Sequence, residues 1–312
     1  MDLPSYDQLL AQAHGLAVAE VHATAAAQPM PKPPNLRLRN ATLIAGGAAV
    51  VAAYGYHAWW KDGFTRDFRR RSEGGFGANT EFSGIDKMGH LYSAYVGVRA
   101  MSPLFEFVGN SPGDARRLAA WSTWGAMTAV EVLDGFSREY RFSHEDFIAN
   151  TVGVLFGYAL ASHPEWDDLL DFRLFYRQTP LSNWDPIGDY PGQRYYLVAK
   201  ADGVKALRDV PVLRYLEFGV GYGAPGIDTP DEWNLHDFAQ RRREIFISVG
   251  VNLSRVIADV FYGGRRSTTR TQRGLDLAFE IVQHPAHAYR GWNVDSYSAP
   301  PPYTGPGGPG AR

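Results

Sequence analysis

An uncharged apolar stretch near the N-terminus constrains the fold of this chain more than any other feature. Residues 40–60 contain no Asp, Glu, Lys or Arg, and residues 43–53 consist only of Leu, Ile, Val, Ala and Gly. A helix needs about 20 apolar residues to cross the hydrocarbon core of a bilayer. The stretch therefore predicts a membrane segment, closed by Trp59 and Trp60 where aromatic rings suit a membrane interface. Because the stretch is rich in Ala and Gly, a buried helix is the alternative.

The region before this stretch, residues 1–39, allows two interpretations. Residues 5–28 predict an Ala-rich amphipathic helix, and a Pro-rich linker follows it. Read from Met30 instead, the basic residues ahead of the apolar run resemble an export signal. Both interpretations place the remainder of the chain in the bacterial cell envelope.

Three further helices are predicted downstream of the apolar stretch. They cover residues 85–107, 114–133 and 143–162. Each is apolar over much of its circumference, which is typical of buried or lipid-facing helices rather than solvated ones. Together with the apolar stretch they predict a membrane-associated helical bundle over residues 40–165.

The pattern changes after Pro164, where proline and glycine become frequent and apolar residues alternate with polar ones. A period of two residues favours β-strands. The predicted strands cover residues 194–200, 215–222, 244–253 and 275–282. The fold class is therefore α+β, with a helical bundle followed by a small antiparallel β-rich region at residues 166–290. Residues 291–312 are rich in Pro and Gly and predict a disordered tail.

Composition excludes several classes of function. The 312 residues carry a formal net charge of −2, so no bulk field attracts nucleic acid, and no nucleic-acid partner is expected. The chain has no cysteine, which excludes disulfides, thiolate metal sites, a thiol nucleophile and a lipid anchor on cysteine. Walker, Rossmann and Gly-x-Ser-x-Gly motifs are also missing from the sequence.

Polar residues gather at one end of each of the three predicted helices. Residues three or four apart project from one helix face, and helices joined by short connections alternate in direction. The start of the first, the end of the second and the start of the third should then meet at one level. The candidate site residues are Asp86, His90, Glu131, Asp134 and Asp146, with Lys87, Ser143 and Asn150 in support.

Several roles are open to this cluster. Buried carboxylates must be paired, hydrogen-bonded or bound to a metal, and Lys87 and His90 are the available partners. A histidine beside a carboxylate suits a general base or a divalent-cation site, although the pattern identifies no particular metal or cofactor. The alternatives are structural. Ser143 and Asp146 fit a helix-capping box, and Asp86 is favourable at a helix N-terminus.

Arginine-rich segments suggest a second kind of contact. Residues 69–71 are all arginine and could meet anionic lipid headgroups, with a solvated charge run as the alternative. A larger set could form a lipid or phosphate surface. It comprises Arg241, Arg242, Arg243, Arg255, Arg265, Arg266, Arg270 and Arg273.

The spacing of the polar residues resembles that of a known family. Asp86-Lys87-x-x-His90, Glu131-x-x-Asp134 and Ser143-x-x-Asp146-x-x-x-Asn150-x-x-Gly153 are similar to motifs of the YfiM-type predicted periplasmic lipoproteins, a bacterial domain of unknown function. The resemblance covers roughly residues 54–285, and a looser one links the helical part to VanZ-like membrane proteins. It implies an envelope location and no established activity. Since the anchoring cysteine is missing, residues 40–60 would have to anchor the chain.

Two functional hypotheses follow. In the first, the chain is a non-enzymatic envelope protein whose polar cluster clasps helices and whose β-rich region binds lipid or a partner protein. In the second, it is a membrane-surface hydrolase or transferase acting on a lipid-linked or cell-wall substrate. There His90 would be the base, and the carboxylates would orient it or hold a metal. Both expect membrane association on the periplasmic side of the inner or outer membrane.

Overall fold

The structure is a computed structural model that describes residues 35–77, 80, 82–179, 185–225 and 242–295. The predicted helix at residues 5–28 and the tail from residue 296 onward lie outside this described part. Within it, eight α-helices and seven strands form a helical half followed by a sheet. The predicted α+β class is confirmed.

The first helix, α1, covers Leu36–Ala58 and coincides with the apolar stretch. Gly55 is its one buried residue among those the structure describes. Within the described residues, α1 is also the one helix long and apolar enough to cross a membrane, with a mean hydropathy of 1.2 and 6% of its most apolar window buried. A buried core helix would show the opposite, so the alternative of a core helix does not fit.

The three predicted bundle helices are present. They are α2 (Ile85–Phe107), α3 (Pro112–Phe136) and α4 (His144–Ser162). Helix α3 begins with Ser111 accepting a hydrogen bond from the Asp114 N–H, followed by a proline in its first turn, where the missing N–H costs nothing. Helices α2 and α4 touch closely at Gly153, where a Cβ would lie 2.1 Å from the Leu91 carbonyl oxygen.

Two very short strands connect the segment before α2 with the start of α4. Strand β1 (Arg70–Arg71) pairs in parallel with β2 (Phe142–Ser143), and Arg71 lies opposite Ser143. Farther along the chain, a single-turn helix, α5 (Pro164–Asp167), follows α4. The β1–β2 pairing brings residues just after β1 to the end of the bundle where α4 begins.

Five strands form an antiparallel sheet in chain order. They are β3 (Leu170–Tyr176), β4 (Gln193–Lys200), β5 (Leu216–Gly223), β6 (Glu244–Val251) and β7 (His287–Asn293). Between them lie the short helix α6 (Lys205–Arg208) and the longer helices α7 (Leu253–Tyr262) and α8 (Arg270–Ile281). Single 3₁₀ turns occur at Tyr190–Gly192, Ala201–Gly203 and Leu213–Tyr215.

The strand predictions were partly wrong. The segments at 194–200, 215–222 and 244–253 match β4, β5 and β6 to within two residues at each end. The segment predicted at 275–282 is instead helical almost throughout, because Leu275, Phe279 and Val282 also follow helical spacing. Strands β3 and β7 were not predicted, and β7 continues three residues past the expected boundary at 290.

The sheet packs against the bundle through an aromatic core. Phe172 of β3 and Tyr195 of β4 contact Ile85 and Tyr95 of α2 and Leu160 of α4. Helix α8 joins the same contact, since the Tyr92 hydroxyl donates to the Ile281 carbonyl at 2.6 Å. The predicted small antiparallel β-rich region is therefore a five-stranded sheet that packs on the bundle.

Candidate functional site

The three bundle helices bring the predicted polar residues together at one end of the bundle. Asp86, Lys87 and His90 come from the first turns of α2, Glu131 from the end of α3, and Asp146 from the first turn of α4. Side-chain contacts link these residues across helices, as the alternation of helix direction predicted. The cluster has two parts, one centred on Lys87 and the other on His90.

Lys87 forms the sealed part of the cluster. Its ammonium nitrogen lies 2.7 Å from Asp86 Oδ2 and 2.7 Å from Asp146 Oδ1, and it also contacts Glu73. The side chains of these four residues are at most 9% exposed. One lysine thus holds three carboxylates that come from α2, α4 and the segment following β1.

Glu73 was missed in the sequence. It lies in the segment after β1, with Arg71 2.8 Å from its carboxylate. The pairing of Arg71 with Ser143 carries this segment to the start of α4. No periodic pattern marks an isolated acidic residue between two turns, so only the preceding arginine run could have drawn attention to it. That run was interpreted as a lipid-binding surface.

His90 forms the more open part of the cluster. Its Nδ1 lies 3.2 Å from Glu131 Oε1 and 3.3 Å from Asn150 Oδ1. The Asn150 amide donates to the same Glu131 oxygen at 3.0 Å, which fixes both side chains. On the other side of the ring, Nε2 lies 3.9 Å from Asp146 Oδ2. The His90 side chain is 24% exposed, whereas that of Glu131 is 1% exposed.

Two predicted residues have different roles from the rest. Asp134 accepts a hydrogen bond from the Trp60 indole N–H at 2.7 Å, so its direct partner is a tryptophan rather than His90. Trp60 itself is buried, which corrects its assignment to a membrane interface. Ser143 caps α4 by accepting the Asp146 N–H at 3.2 Å. The capping interpretation is therefore confirmed for Ser143.

Negative charge exceeds positive charge in this buried region. Burial raises the pKa of Asp86 to about 7, although Lys87 opposes this shift. Burial likewise raises the pKa of Glu131 to about 8 and that of Asp134 to about 6. Glu73 differs, because Lys87 and Arg71 outweigh its burial and lower its pKa to about 2. Asp86, Glu131 and Asp134, unlike Glu73, therefore retain protons at pH values where exposed carboxyls do not.

The surplus of carboxylates also affects the pKa of His90. Burial alone would lower its pKa, but the carboxylates of Asp146, Glu131 and Asp86 outweigh burial and raise it. A histidine with a raised pKa between carboxylates can accept and release a proton, or ligate a cation when neutral. The geometry therefore supports proton transfer or cation binding on the His90 side.

Two groups of side chains have metal-ligand spacing within the described residues. In the first, one ligand atom each of His90, Glu131 and Asp146 lies within 4.8 Å of the others. In the second, Glu73, Asp86 and Asp146 are equally close. The Lys87 ammonium already contacts all three carboxylates of the second group. The first group alone remains a candidate for a cation.

A second buried charge network lies inside the sheet and was not predicted. Arg173 of β3 donates to Glu217 of β5 at 2.7 and 3.0 Å and to Asp171 at 3.1 Å. Lys200 pairs with Asp171, and His284 Nε2 lies 3.1 Å from Glu217 Oε1. Two cations here face two carboxylates, and each carboxylate has a lower pKa than usual because its cationic partners outweigh burial. The network is sealed and balanced in charge.

The other predicted surfaces are largely paired internally. Arg243 pairs with Asp295, Arg255 with Asp259, and Arg266 with Asp202. These arginines are held by carboxylates of the same chain, which weakens the hypothesis that they form a lipid surface. Arg241 lies outside the described residues.

Comparison with known proteins bears on the helical half of the chain. Residues 72–162 match the family described as Predicted periplasmic lipoprotein (DUF2279). The match contains the whole polar cluster from Glu73 to Asn150 and ends with α4, before the sheet begins. The family match is consistent with an envelope protein that is associated with a membrane. The likeness to VanZ-like membrane proteins stays a prediction.

The same comparisons gave nothing for the sheet region. No curated protein and no solved structure matches the chain. The family description names a lipoprotein, whereas these 312 residues contain no cysteine to carry a lipid.

Proposed function

We propose that the protein is a membrane-anchored envelope protein whose polar cluster clasps the end of its helical bundle. The observation that carries the clasp is the position of Lys87, whose ammonium contacts carboxylates from α2, α4 and the segment after β1. Among the described residues, the strand pairing that joins this part of the chain to the start of α4 is two residues long, and hydrogen bonds from the Ser72 hydroxyl and the Glu73 N–H to Glu145 reinforce it. Lys87 therefore adds a buried ionic link between the bundle and a segment that few backbone hydrogen bonds hold in place.

Burial makes this clasp energetically important. The Lys87 side chain is 4% exposed, so its three partners lose the cation that they share if it is removed. Removing one partner of a buried ion pair costs about 3–5 kcal/mol, since the remaining charge is left without compensation. Protonation of Asp86 can offset part of this cost, because burial raises the pKa of Asp86 to about 7.

The test compares Lys87→Met with Lys205→Met, a change on the exposed helix α6. We expect Lys87→Met to lower the free energy of unfolding by about 3 kcal/mol and to expose the segment near Glu73 to limited proteolysis. Lys205→Met should leave both unchanged. Equal stability and equal proteolysis of the two variants would contradict the proposal that Lys87 holds this segment to the bundle.

Membrane attachment through α1 forms the second part of the proposal. The helix has 23 residues and is almost entirely unburied by the rest of the chain. Such a length of apolar surface is costly in water and is long enough to cross a bilayer. We expect the chain to fractionate with membranes and to resist extraction by high salt. A variant with Ile44→Asp and Val50→Asp should shift to the soluble fraction, and recovery of the unmodified chain as a soluble monomer would contradict the proposal.

The outer face of the sheet supports further contact with lipid or an envelope partner. Leu197, Val220 and Ile247 lie side by side across β4, β5 and β6 and are 46, 59 and 51% exposed. Phe218 and Val249 extend the same surface. Contiguous exposed apolar patches mark sites of membrane or protein contact. We propose that this face lies against the membrane that α1 enters.

One observation favours an enzyme as a second candidate function. His90 is the member of the cluster with substantial exposure, and its pKa is raised by neighbouring carboxylates although burial opposes this. A hydrolase or transferase acting on a lipid-linked or cell-wall substrate would use it as a base. In that case His90→Ala should abolish a cellular phenotype while the melting temperature stays nearly constant. Loss of stability of about 1–3 kcal/mol without a separate loss of function would favour the clasp.

A further inference from the structure

We propose that His90, Glu131 and Asp146 bind a divalent cation of the transition series, at the exposed edge of the polar cluster. One ligand atom of each residue lies within 4.8 Å of the other two. The proposal goes beyond the clasp, because it concerns the side of Asp146 that Lys87 does not occupy. It assigns a ligand class to the open part of the cluster.

The distance between His90 Nε2 and Asp146 Oδ2 is the central geometric observation. At 3.9 Å it is too long for a hydrogen bond. Neither atom has another hydrogen-bond partner among the described residues. Imidazole nitrogens and carboxylate oxygens bind zinc at about 2.0–2.2 Å each. Two ligands of one cation can therefore be separated by 3.9 Å.

The opposite side of the imidazole ring is already held in place. Nδ1 lies 3.2 Å from Glu131 Oε1 and 3.3 Å from Asn150 Oδ1. Metal-binding histidines nearly always use their second nitrogen in this way, and such partners fix the ring orientation. Asn150 is the hydrogen-bond partner of Nδ1, and Glu131 offers a carboxylate oxygen within 4.8 Å of a His90 nitrogen and an Asp146 oxygen. Asn150 is thus a positioning residue.

Formal charge also favours a cation at this place. Five carboxyl groups lie in or beside the cluster, on Glu73, Asp86, Glu131, Asp134 and Asp146. The fixed cations near them are Lys87 and Arg71. Buried carboxylates without compensation are costly, and a divalent ion would offset most of the surplus. Imidazole with carboxylates suits Zn²⁺ or Mn²⁺ better than Ca²⁺, which prefers oxygen ligands alone.

Access distinguishes this site from the neighbouring carboxylate group. The His90 side chain is 24% exposed, while the Lys87 side chain is 4% exposed. The proposed site therefore lies where the cluster is in contact with solvent through the His90 side chain. On the other side of Asp146, the Lys87 ammonium occupies the position that a second ion would need.

The test measures binding of ZnCl₂ and MnCl₂ to the full chain in detergent after treatment with EDTA. Calorimetry should give one site per chain, and the melting temperature should rise with either ion and not with CaCl₂. His90→Ala should abolish that site. Asn150→Ala should weaken it by about 10–100-fold, as expected when a metal-binding histidine loses the partner that fixes its ring. His163→Ala, which alters a half-exposed histidine at the end of α4, is the matched control and should bind normally.

Each outcome decides the matter. If His90→Ala does not fold, Co²⁺ absorption of the unmodified protein is measured instead, with Glu131→Gln as the second variant. A d–d spectrum that is lost in Glu131→Gln supports the site. Binding that is absent, or equal in His90→Ala and His163→Ala, overturns it. Since Lys87→Met tests the clasp by unfolding and not by ion binding, failure of either proposal is visible separately.

Discussion

The two buried charge networks of this protein differ in their balance. Inside the sheet, Arg173 and Lys200 face Asp171 and Glu217, and the pKa of each carboxylate is lowered by its partners. At the bundle end, carboxylates outnumber cations, and burial raises the pKa of Glu131 to about 8. Buried carboxylates occur in both networks, although the sheet network is sealed and the bundle end is open at His90.

This difference indicates that the buried charges of the sheet stabilise the fold, whereas those at the bundle end are suited to a function. A network with matched charges needs nothing further to be stable once it is folded. A surplus of one sign in a buried site must be offset by protons or a ligand, and perturbed pKa values of this kind concentrate at functional sites. The bundle end, rather than the sheet, is therefore where a ligand or a proton should act.

The largest expected effect would come from breaking the balanced network. Arg173 is 2% exposed and holds both Asp171 and Glu217. We expect Arg173→Met to lower the free energy of unfolding by about 3–5 kcal/mol, because two buried carboxylates lose their shared partner. Chemical denaturation checks this, with exposed Arg117→Met as a control. A loss smaller than that of Lys87→Met would show that the sheet network is the weaker one.

A matched pair of substitutions tests the comparison directly. Glu217→Gln removes a charge that Arg173 and His284 require, so it should cost about 2–4 kcal/mol. Glu131→Gln removes a carboxyl that must take up a proton on folding at pH 7, so in metal-free protein it should not destabilise the fold and should raise the free energy of unfolding. Thermal and urea melts measure both. Similar losses in the two variants would show that the networks do not differ in kind.

The two charge networks should also make the free energy of unfolding depend on pH in opposite directions. Asp134, Asp86 and Glu131 have pKa values of about 6, 7 and 8 in the folded chain, above the value of about 4 in an unfolded one. The folded state therefore binds more protons between these values. Metal-free protein should therefore gain several kcal/mol of unfolding free energy as the pH falls from 8 to 5. The raised pKa of His90 acts with the same sign.

Further acidification should reverse this gain. The lowered pKa values of Asp171 and Glu217 mean that their contribution is present above pH 4 and lost as the pH falls through their folded values. Urea denaturation across the pH range measures both limbs. Glu131→Gln should flatten the limb above pH 5, whereas Glu106→Gln, at an exposed position, should not. Stability that rises steadily from pH 5 to 8 would contradict the assignment of surplus charge.

The smallest expected effect concerns Ser143. Its hydroxyl caps α4 and is not a direct partner of His90. Ser143→Ala should therefore cost about 1 kcal/mol, as for other N-caps, and should leave Zn²⁺ binding within about twofold of the unmodified protein, since a few tenths of a kcal/mol would correspond to that change. Calorimetry beside a thermal melt checks both values. Loss of ion binding in this variant would place Ser143 in the site after all.

Much of the bundle could be predicted from local sequence. Three runs of apolar residues with helical spacing indicated α2, α3 and α4, and polar residues at their ends indicated one shared level. The strands were harder. Residues 275–282 fit two periods at once, and β3 was missed although Asp171 and Arg173 alternate with apolar residues there. A short segment contains too few residues to separate a period of 2 from one of 3.6.

Sequence by itself determined the three bundle helices, the apolar stretch of α1 and the gathering of Asp86, His90, Glu131 and Asp146, because side-chain spacing along a helix sets which face each residue occupies. Tertiary structure alone decided which partner each would meet. The β1–β2 pairing placed Glu73 in contact with Lys87, and packing placed Asp134 within hydrogen-bond distance of the Trp60 indole. The same packing buried Arg173 in the sheet. Those contacts join residues far apart in the chain, and their burial depends on the packing of all the elements around them.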